Sequence, residues 1–119
     1  MKILVVENDP YTQKIFRSIL TNEGHTVFFS SAGRTGLLAS KQLAPDLIVL
    51  DIPFSDTDGV QFLQKLRKAP ETETVPVIIL LSKSQDNMEN TYVIAGASTC
   101  LIKPFRPWQL LAQIADISP

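Results

Sequence analysis

Five short runs of apolar, often β-branched residues alternate along the chain with amphipathic segments of helical spacing. Such alternation is typical of a parallel β-sheet covered by helices on both faces, because parallel strands need a crossover between them. The predicted strands are Lys2 to Val6, Thr26 to Phe29, Leu47 to Asp51, Val77 to Leu81, and Thr99 to Ile102. We therefore expect an α/β fold in which five strand–helix units form one doubly wound, five-stranded parallel sheet.

The first helix is the best signalled of the five. Asp9 is a suitable N-cap, Pro10 suits the first helical position, and Gly24 can end the helix in a left-handed conformation. Its predicted apolar stripe contains Ile15, Phe16, Ile19 and Leu20.

The remaining helices are predicted from apolar spacing and from breaker residues. The second runs from about Ala32 to Leu43, the third follows Asp58-Gly59, the fourth runs from about Gln85 to Ala95, and the fifth opens at Pro107. Their expected inward-facing residues are, in the same order, Leu37 and Leu38; Phe62, Leu63 and Leu66; Met88, Tyr92 and Ala95; Leu110, Leu111 and Ile114.

Composition excludes several classes of protein. The 119 residues form one predicted domain, 1–119, and the longest apolar run, Val77 to Leu81, is too short to span a bilayer. A net charge of −1 argues against a basic nucleic-acid or membrane-binding surface. The apolar stretch that ends at Glu7 is too short for a secretory signal. With a single cysteine, Cys100, these features lead us to expect a cytoplasmic protein; a longer parent chain beyond Pro119 stays open.

Polar residues follow four of the predicted strands at their carboxyl ends, where ligands bind in open parallel sheets. These residues are Glu7, Asn8, Asp9, Asp51, Ser82 and Lys103. A carboxylate that closes an apolar strand needs partners, because an unpaired buried charge favours protonation. Lys103 and a divalent cation such as Mg²⁺ are the obvious partners. Asp51 then has two interpretations, either as a nucleophile towards a phosphoryl group or as an ordinary cap or turn residue.

Four segments in this order resemble the receiver domain of two-component response regulators, of the chemotaxis-regulator type. They are ILVVENDP, DLIVLD with DTDG, PVIILLS, and AGASTCLIKPF. The spacings match the family's usual separations, with 44 residues from Glu7 to Asp51 and 52 from Asp51 to Lys103. The resemblance implies a flavodoxin-like fold with strand order 2-1-3-4-5.

The resemblance also implies roles for residues. Asp51 would be the phosphoacceptor and Lys103 the lysine that pairs with it, and the Lys103-Pro104 bond resembles one that is cis in the family. Glu7 would be the first of two acids that hold Mg²⁺, with Asn8 at the second and a backbone carbonyl from Ile52 or Pro53 completing the metal ligands.

Three positions depart from the family pattern. Asn8 replaces the second acid, so we expect weaker metal binding, with Asp9 as a candidate substitute. Leu81 replaces the switch Ser or Thr, and strand alternation directs the hydroxyl of Ser82 away. Cys100 replaces the aromatic residue of the switch. A smaller departure is Ser55 in place of a common proline.

The resemblance implies a phosphoacceptor domain that takes phosphate from a histidine kinase or phosphotransfer protein. It would act on an output domain or target protein through the fourth helix, fifth strand and fifth helix, with a homodimer possible and with no direct nucleic-acid or membrane contact. We expect no enzyme activity beyond weak self-catalysed transfer and autodephosphorylation. One alternative is a degenerate receiver that keeps the fold and docks constitutively on its partner. A second alternative, with less support, is a phosphatase; such enzymes have a general acid two residues after the nucleophile, where this chain has Pro53.

Other candidate residues have simpler interpretations. His25 is expected to be a solvated turn residue, because no second His or Cys partner exists at that end of the chain. The segment around Asp56 and Asp58 lacks the ligands of a calcium loop. Trp108 and Phe105 are expected to pack against the sheet, although an exposed Trp would mark a partner surface.

Overall fold

The computed structural model describes residues 1–52 and 58–117 and confirms the predicted α/β architecture. The strands form one parallel sheet in the order β2-β1-β3-β4-β5, which is the flavodoxin-like order. Their bounds are β1 Lys2–Val6, β2 Thr26–Ser30, β3 Leu47–Asp51, β4 Val77–Leu81 and β5 Thr99–Ile102. Only β2 differs from the prediction, by one residue at its end.

The described helices are α1 Pro10–Asn22, α2 Gly33–Leu43, α3 Gly59–Lys68, α4 Glu89–Ala95 and α5 Pro107–Ile117. The predicted fourth helix is wrong in its first half, because Lys83–Met88 forms a 3₁₀ helix instead. A capping box between Ser82 and Gln85 starts this segment, and short polar side chains such as Asn87 offer the backbone competing hydrogen bonds. The α-helical geometry begins only at Glu89.

The helices cover the sheet on two faces. On one face α2, α3 and α4 bury Phe62, Leu66 and Tyr92 against the strands, and on the other α1 and α5 bury Phe16 and Leu110. Every residue of β4 is buried, as expected for a strand covered on both sides. The two layers leave the carboxyl edge of the sheet open for a site.

Three of the predicted inward-facing side chains lie at the surface. Leu38 is 57% exposed because its neighbour Leu37, about 100° away on the helix, takes the position towards the sheet. Met88 is exposed because it ends the 3₁₀ helix rather than lying within α4. Trp108 is 67% exposed, since Leu110 takes the buried position and a residue two places away lies on the other side of a helix.

The opposite edge of the sheet holds the chain start. The N-terminal ammonium donates a hydrogen bond of 3.1 Å to Nδ1 of His25, which is half-buried, so the expectation of a solvated turn residue is wrong. Burial, with the nearby ammonium, lowers the pKa of His25. Gly24 ends α1 with a φ of +86°, as its position predicts. In the described ranges, no helix has the length and apolar character needed to cross a bilayer.

Candidate functional site

Glu7 follows β1 at the carboxyl edge and is fixed by its backbone as well as by its side chain. Its N–H donates to the carbonyl of Ser30 at 2.9 Å, and its carbonyl accepts from Nε2 of Gln13 at 2.5 Å. The carboxylate Oε1 accepts from the N–H of Asp9 at 2.9 Å. These contacts hold the Glu7 side chain at the edge although the residue is only 7% exposed.

Asp51 and Lys103 meet across the width of one strand. Asp51 ends the central strand β3, whereas Lys103 follows β5, with β4 between them. Nζ of Lys103 donates to Oδ1 of Asp51 at 2.5 Å, and the side chains are 35% and 12% exposed respectively. The backbone N–H of Lys103 donates to the carbonyl of Leu81 at 2.7 Å, and the Lys103-Pro104 bond is cis, as expected.

The carboxyl groups of Glu7 and Asp51 at the carboxyl edge of the sheet favour the binding of a cation. Burial, together with the neighbouring carboxyl group of Asp51, raises the pKa of Glu7 to about 7. Oε2 of Glu7 is buried and has no hydrogen-bond partner in the described part of the chain. Two neighbouring carboxyl groups must share a proton or bind a cation, because their charges repel at short range. The orphaned oxygen is therefore a natural ligand for a metal ion.

The donor set fits a hard cation such as Mg²⁺, but it is short of negative charge. Asn8 is exposed and offers only a neutral amide oxygen. Asp9 does not replace the missing acid, because its Oδ2 caps α1 by accepting from the N–H of Thr12 at 3.1 Å and from its hydroxyl at 2.6 Å. No group of three acidic, histidine or cysteine side chains meets within the described residues. Pro53, a predicted ligand, lies outside them.

At the positions where the resemblance implies a switch, the structure shows packing rather than a hydroxyl group directed at Asp51. Leu81 is completely buried and joins the cluster that contains Tyr92. The hydroxyl of Ser82 lies 2.9 Å from both the hydroxyl of Ser84 and Oε1 of Gln85. β4 keeps a regular register with β5 up to Leu81, so no bulge turns Ser82 towards Asp51.

Cys100 lies half-buried in the middle of β5. Burial, and then the charge of Glu89, raise the pKa of its thiol to about 11, so the thiol stays protonated at neutral pH. Tyr92 of α4 packs into the core cluster that Cys100 borders. An aromatic side chain therefore does fill this region, but it comes from a helix rather than from β5.

A cavity of about 320 Å³ beside Asp51 was not predicted from the sequence. It is lined by Thr12, Ile15, Phe16, Ile19, Asp51, Lys103, Pro104, Phe105 and Pro107. The signal for it in the sequence is the width of the apolar stripe predicted on α1. Ile15, a member of that stripe, is 44% exposed and lines the cavity together with the charged Asp51 and Lys103.

Comparison with known proteins gives one consistent family. The family model described as "Response regulator receiver domain" matches residues 3–115. The KDP operon transcriptional regulatory protein KdpE of Escherichia coli is 34% identical over 94% of this chain, which covers 48% of that protein. The chain thus spans about half the length of this relative.

Solved structures agree in fold. The chemotaxis response regulator CheY4 of Vibrio cholerae superposes with a TM-score of 0.90 at 22% identity, over 98% of each chain. The receiver domain of the sensor histidine kinase PA1611 from Pseudomonas aeruginosa gives 0.87 at 23% identity, over 97% of this chain and 94% of that one. That structure is described with a magnesium ion coordinated in its active-site cleft.

Proposed function

Since the chain belongs to the response regulator receiver domain family of two-component signalling, we propose that Asp51 is its phosphoacceptor and Lys103 the partner of that carboxylate. The observation that carries the proposal is the 2.5 Å contact between Nζ of Lys103 and Oδ1 of Asp51 at the carboxyl edge of the sheet. Of the described acids, Asp51 alone ends a buried strand and faces a lysine.

The proposed reaction is transfer from a phosphohistidine. An oxygen of Asp51 forms a bond to phosphorus while the phosphorus–nitrogen bond breaks, and the imidazole of the donor leaves. Lys103 holds the Asp51 carboxylate in place through their ion pair and balances the charge that gathers on the phosphoryl oxygens. Glu7, Asn8, Asp51 and the backbone beyond Asp51, including Pro53, would hold Mg²⁺. When bound, the ion neutralises further charge on the phosphoryl group.

We place the approach of the donor protein over the cavity that borders Asp51. Ile15 supplies an exposed apolar contact there, and Asp51 and Lys103 line the same cavity. A histidine kinase or phosphotransfer protein that packs on Ile15 therefore brings its phosphohistidine to Asp51. Acetyl phosphate is too small to need that contact, so an Ile15→Lys variant should lose transfer from the protein donor and keep it from acetyl phosphate.

Output contacts are proposed on the face formed by α4, β5 and α5. Ile94 is 86% exposed, and Val93 and Trp108 add two further apolar side chains at the surface of these helices. An output domain, a target protein or a second copy of the chain would cover them. In this proposal the only phosphate that the chain hydrolyses is its own acyl phosphate. The chain acts in the cytoplasm, where its kinase would lie.

The test is to incubate the 119-residue chain with acetyl phosphate and millimolar Mg²⁺ and to measure intact mass. We expect one phosphoryl adduct in the wild type, none in Asp51→Asn, and an unchanged adduct in the matched Asp46→Asn variant. Asp46 is an exposed acid at the opposite end of β3, so its loss changes the net charge equally. Adduct formation in Asp51→Asn would defeat the assignment. An unreactive wild type beside a reactive Asn8→Asp variant would point to a degenerate receiver.

A further inference from the structure

The charged residues of α2 and α3 are all of one sign. Of the 11 Lys and Arg residues in the chain, five lie on these two helices, which contain none of its 12 Asp and Glu residues. The five are Arg34, Lys41, Lys65, Arg67 and Lys68. The net charge of −1 is therefore the sum of two unequal parts: α2 and α3 are positively charged, and the rest of the chain has twice as many acidic as basic residues.

Three of these lysines converge on one hollow. Lys41, Lys65 and Lys68 line an open cavity of about 260 Å³ whose apolar part is formed by Leu37 and Ala69. We call these five residues the α2–α3 groove. All three lysines are exposed, and none of them pairs with an acid within residues 1–52 and 58–117.

Helix stability alone does not require this cluster. Basic residues in the last turn of a helix interact favourably with its macrodipole, and the three lysines lie in or near the last turns of α2 and α3. However, α1, α4 and α5 have no basic residue in their last turns. Three ammonium groups around one hollow also repel each other, and an anionic ligand would relieve that repulsion.

The shape and polarity of the groove favour a peptide over a nucleic acid. The hollow has room for one or two side chains and an apolar wall at Leu37, and Leu38 is exposed on the same helix. A nucleic acid needs a longer basic track, and the acidic remainder of the surface would repel its phosphates. Carboxylates beside an apolar side chain match both parts of the groove.

We propose that the α2–α3 groove binds an acidic segment of a partner protein that also carries an apolar side chain. The groove lies on the face covered by α2, α3 and α4, whereas the cavity beside Asp51 lies against α1 on the other face. The contact therefore adds a second docking surface, separate from the one used for phosphoryl transfer.

The test uses a fluorescently labelled peptide, Glu-Glu-Leu-Glu-Glu-Leu-Glu-Glu, and fluorescence anisotropy with the 119-residue chain. The double variant Lys41→Gln/Lys65→Gln should bind about tenfold more weakly, since each exposed ion pair contributes a few-fold in affinity. The matched variant Lys14→Gln/Lys83→Gln removes the same charge from exposed lysines elsewhere and should bind as the wild type does. Raising the salt from about 50 to about 300 mM should weaken binding several-fold.

Three results would overturn the proposal. Equal loss of affinity in both double variants would reduce the effect to net charge. Tighter binding of a single-stranded DNA oligonucleotide than of the peptide would make the face a nucleic-acid surface. Undiminished binding after both leucines of the peptide are replaced by serine would remove the role of Leu37. Thermal midpoints establish that the variants are folded, and Lys68→Gln serves as a replacement if the double variant is not.

Discussion

At the scale of single residues, Leu81 packs in the core at the position where the resemblance implies a switch hydroxyl. Its side chain is completely buried, so Leu81→Thr removes core volume and places a hydroxyl among apolar groups. We expect the free energy of unfolding to fall by about 2–4 kcal/mol, measured by urea denaturation. We also expect the new hydroxyl to transmit phosphorylation of Asp51 to α5. Beryllofluoride, used in place of the phosphoryl group, should therefore change amide exchange in α5 more in the variant than in the wild type.

The matched control for this prediction is Ile79→Thr. Ile79 is also completely buried and belongs to the same cluster as Leu81, but it lies two residues further from the carboxyl end of β4. Ile79→Thr should therefore cost similar stability without changing the response of α5. Identical responses of α5 in the two variants would contradict the account of position 81.

The thiol of Cys100 gives a prediction about pH. Burial and the charge of Glu89 raise its pKa from the ordinary 9.0 to about 11 in the folded chain. Between these values the unfolded chain loses the thiol proton and the folded chain keeps it, so the free energy of unfolding falls as pH rises. Below pH 9 the thiol has no such effect.

The measurement is the difference in urea midpoint between the wild type and Cys100→Ala, taken near pH 8 and near pH 10. Ionisable groups that the two proteins share contribute to both midpoints, and taking the difference removes that contribution. We expect the wild type to lose more stability than Cys100→Ala between the two pH values. A difference that stays constant with pH would show that the thiol ionises equally in both states.

At the scale of elements, the strands were predictable and the fourth helix was not. The apolar run of β4 favours a strand covered on both faces, because five residues are few for a buried helix and three of the five are β-branched. The segment from Lys83 to Met88 holds polar residues that favour neither helix nor turn by pattern alone. Its 3₁₀ geometry follows from the Ser82–Gln85 capping contact, which forms between side chains whose pairing the sequence does not specify.

Arg67 joins three elements that no sequence pattern connected. Its guanidinium donates to the carbonyl of Gly96 through Nε at 3.0 Å and Nη2 at 2.7 Å. Nη1 donates to the carbonyls of Thr72, Glu73 and Val75 at 3.0, 3.2 and 2.8 Å. One half-buried side chain thereby ties the end of α3 to the loop before β4 and to the turn before β5.

Replacing Arg67 by Lys should lower the free energy of unfolding by about 2–4 kcal/mol, because an ammonium cannot reach all of these carbonyls. Amide exchange should quicken at Val75 and Ala97, next to the carbonyls that lose their donor. Lys68→Met, at the exposed neighbouring position, should change neither quantity appreciably. Unchanged exchange at Val75 in Arg67→Lys would show that the loop is held by other contacts.

At the scale of the whole molecule, the site was predictable where topology alone fixes it. Parallel strands bring their carboxyl ends to one edge, so the sequence alone predicts that Glu7, Asp51 and Lys103 lie close together. The cavity at Ile15 depends on the relative placement of α1 and the loop before α5, which apolar spacing does not encode. The α2–α3 groove likewise arises from the packing of two helices. Its lysines are far apart in sequence, so the sequence pattern does not show that they lie side by side.

The acidic edge also links ion binding to global stability. A third carboxylate at position 8 should repel Glu7 and Asp51, so without metal Asn8→Asp should unfold about 0.5 kcal/mol more easily than the wild type. With Mg²⁺ the order should reverse, because the added charge tightens binding and a ligand at ten times its Kd stabilises the folded state by about 1.4 kcal/mol. Urea midpoints with EDTA and with Mg²⁺ measure both effects.

Asn87→Asp supplies the control for this last comparison, since it adds the same charge at an exposed position of the 3₁₀ helix. Its stabilisation by Mg²⁺ should equal that of the wild type, because the orphaned Oε2 of Glu7 is unaffected. An equal increment from Mg²⁺ in the wild type and in Asn8→Asp would mean that position 8 does not contact the ion. The weak metal site would then have to be attributed to another ligand, and the amide of Asn8 would lose its proposed part in holding Mg²⁺.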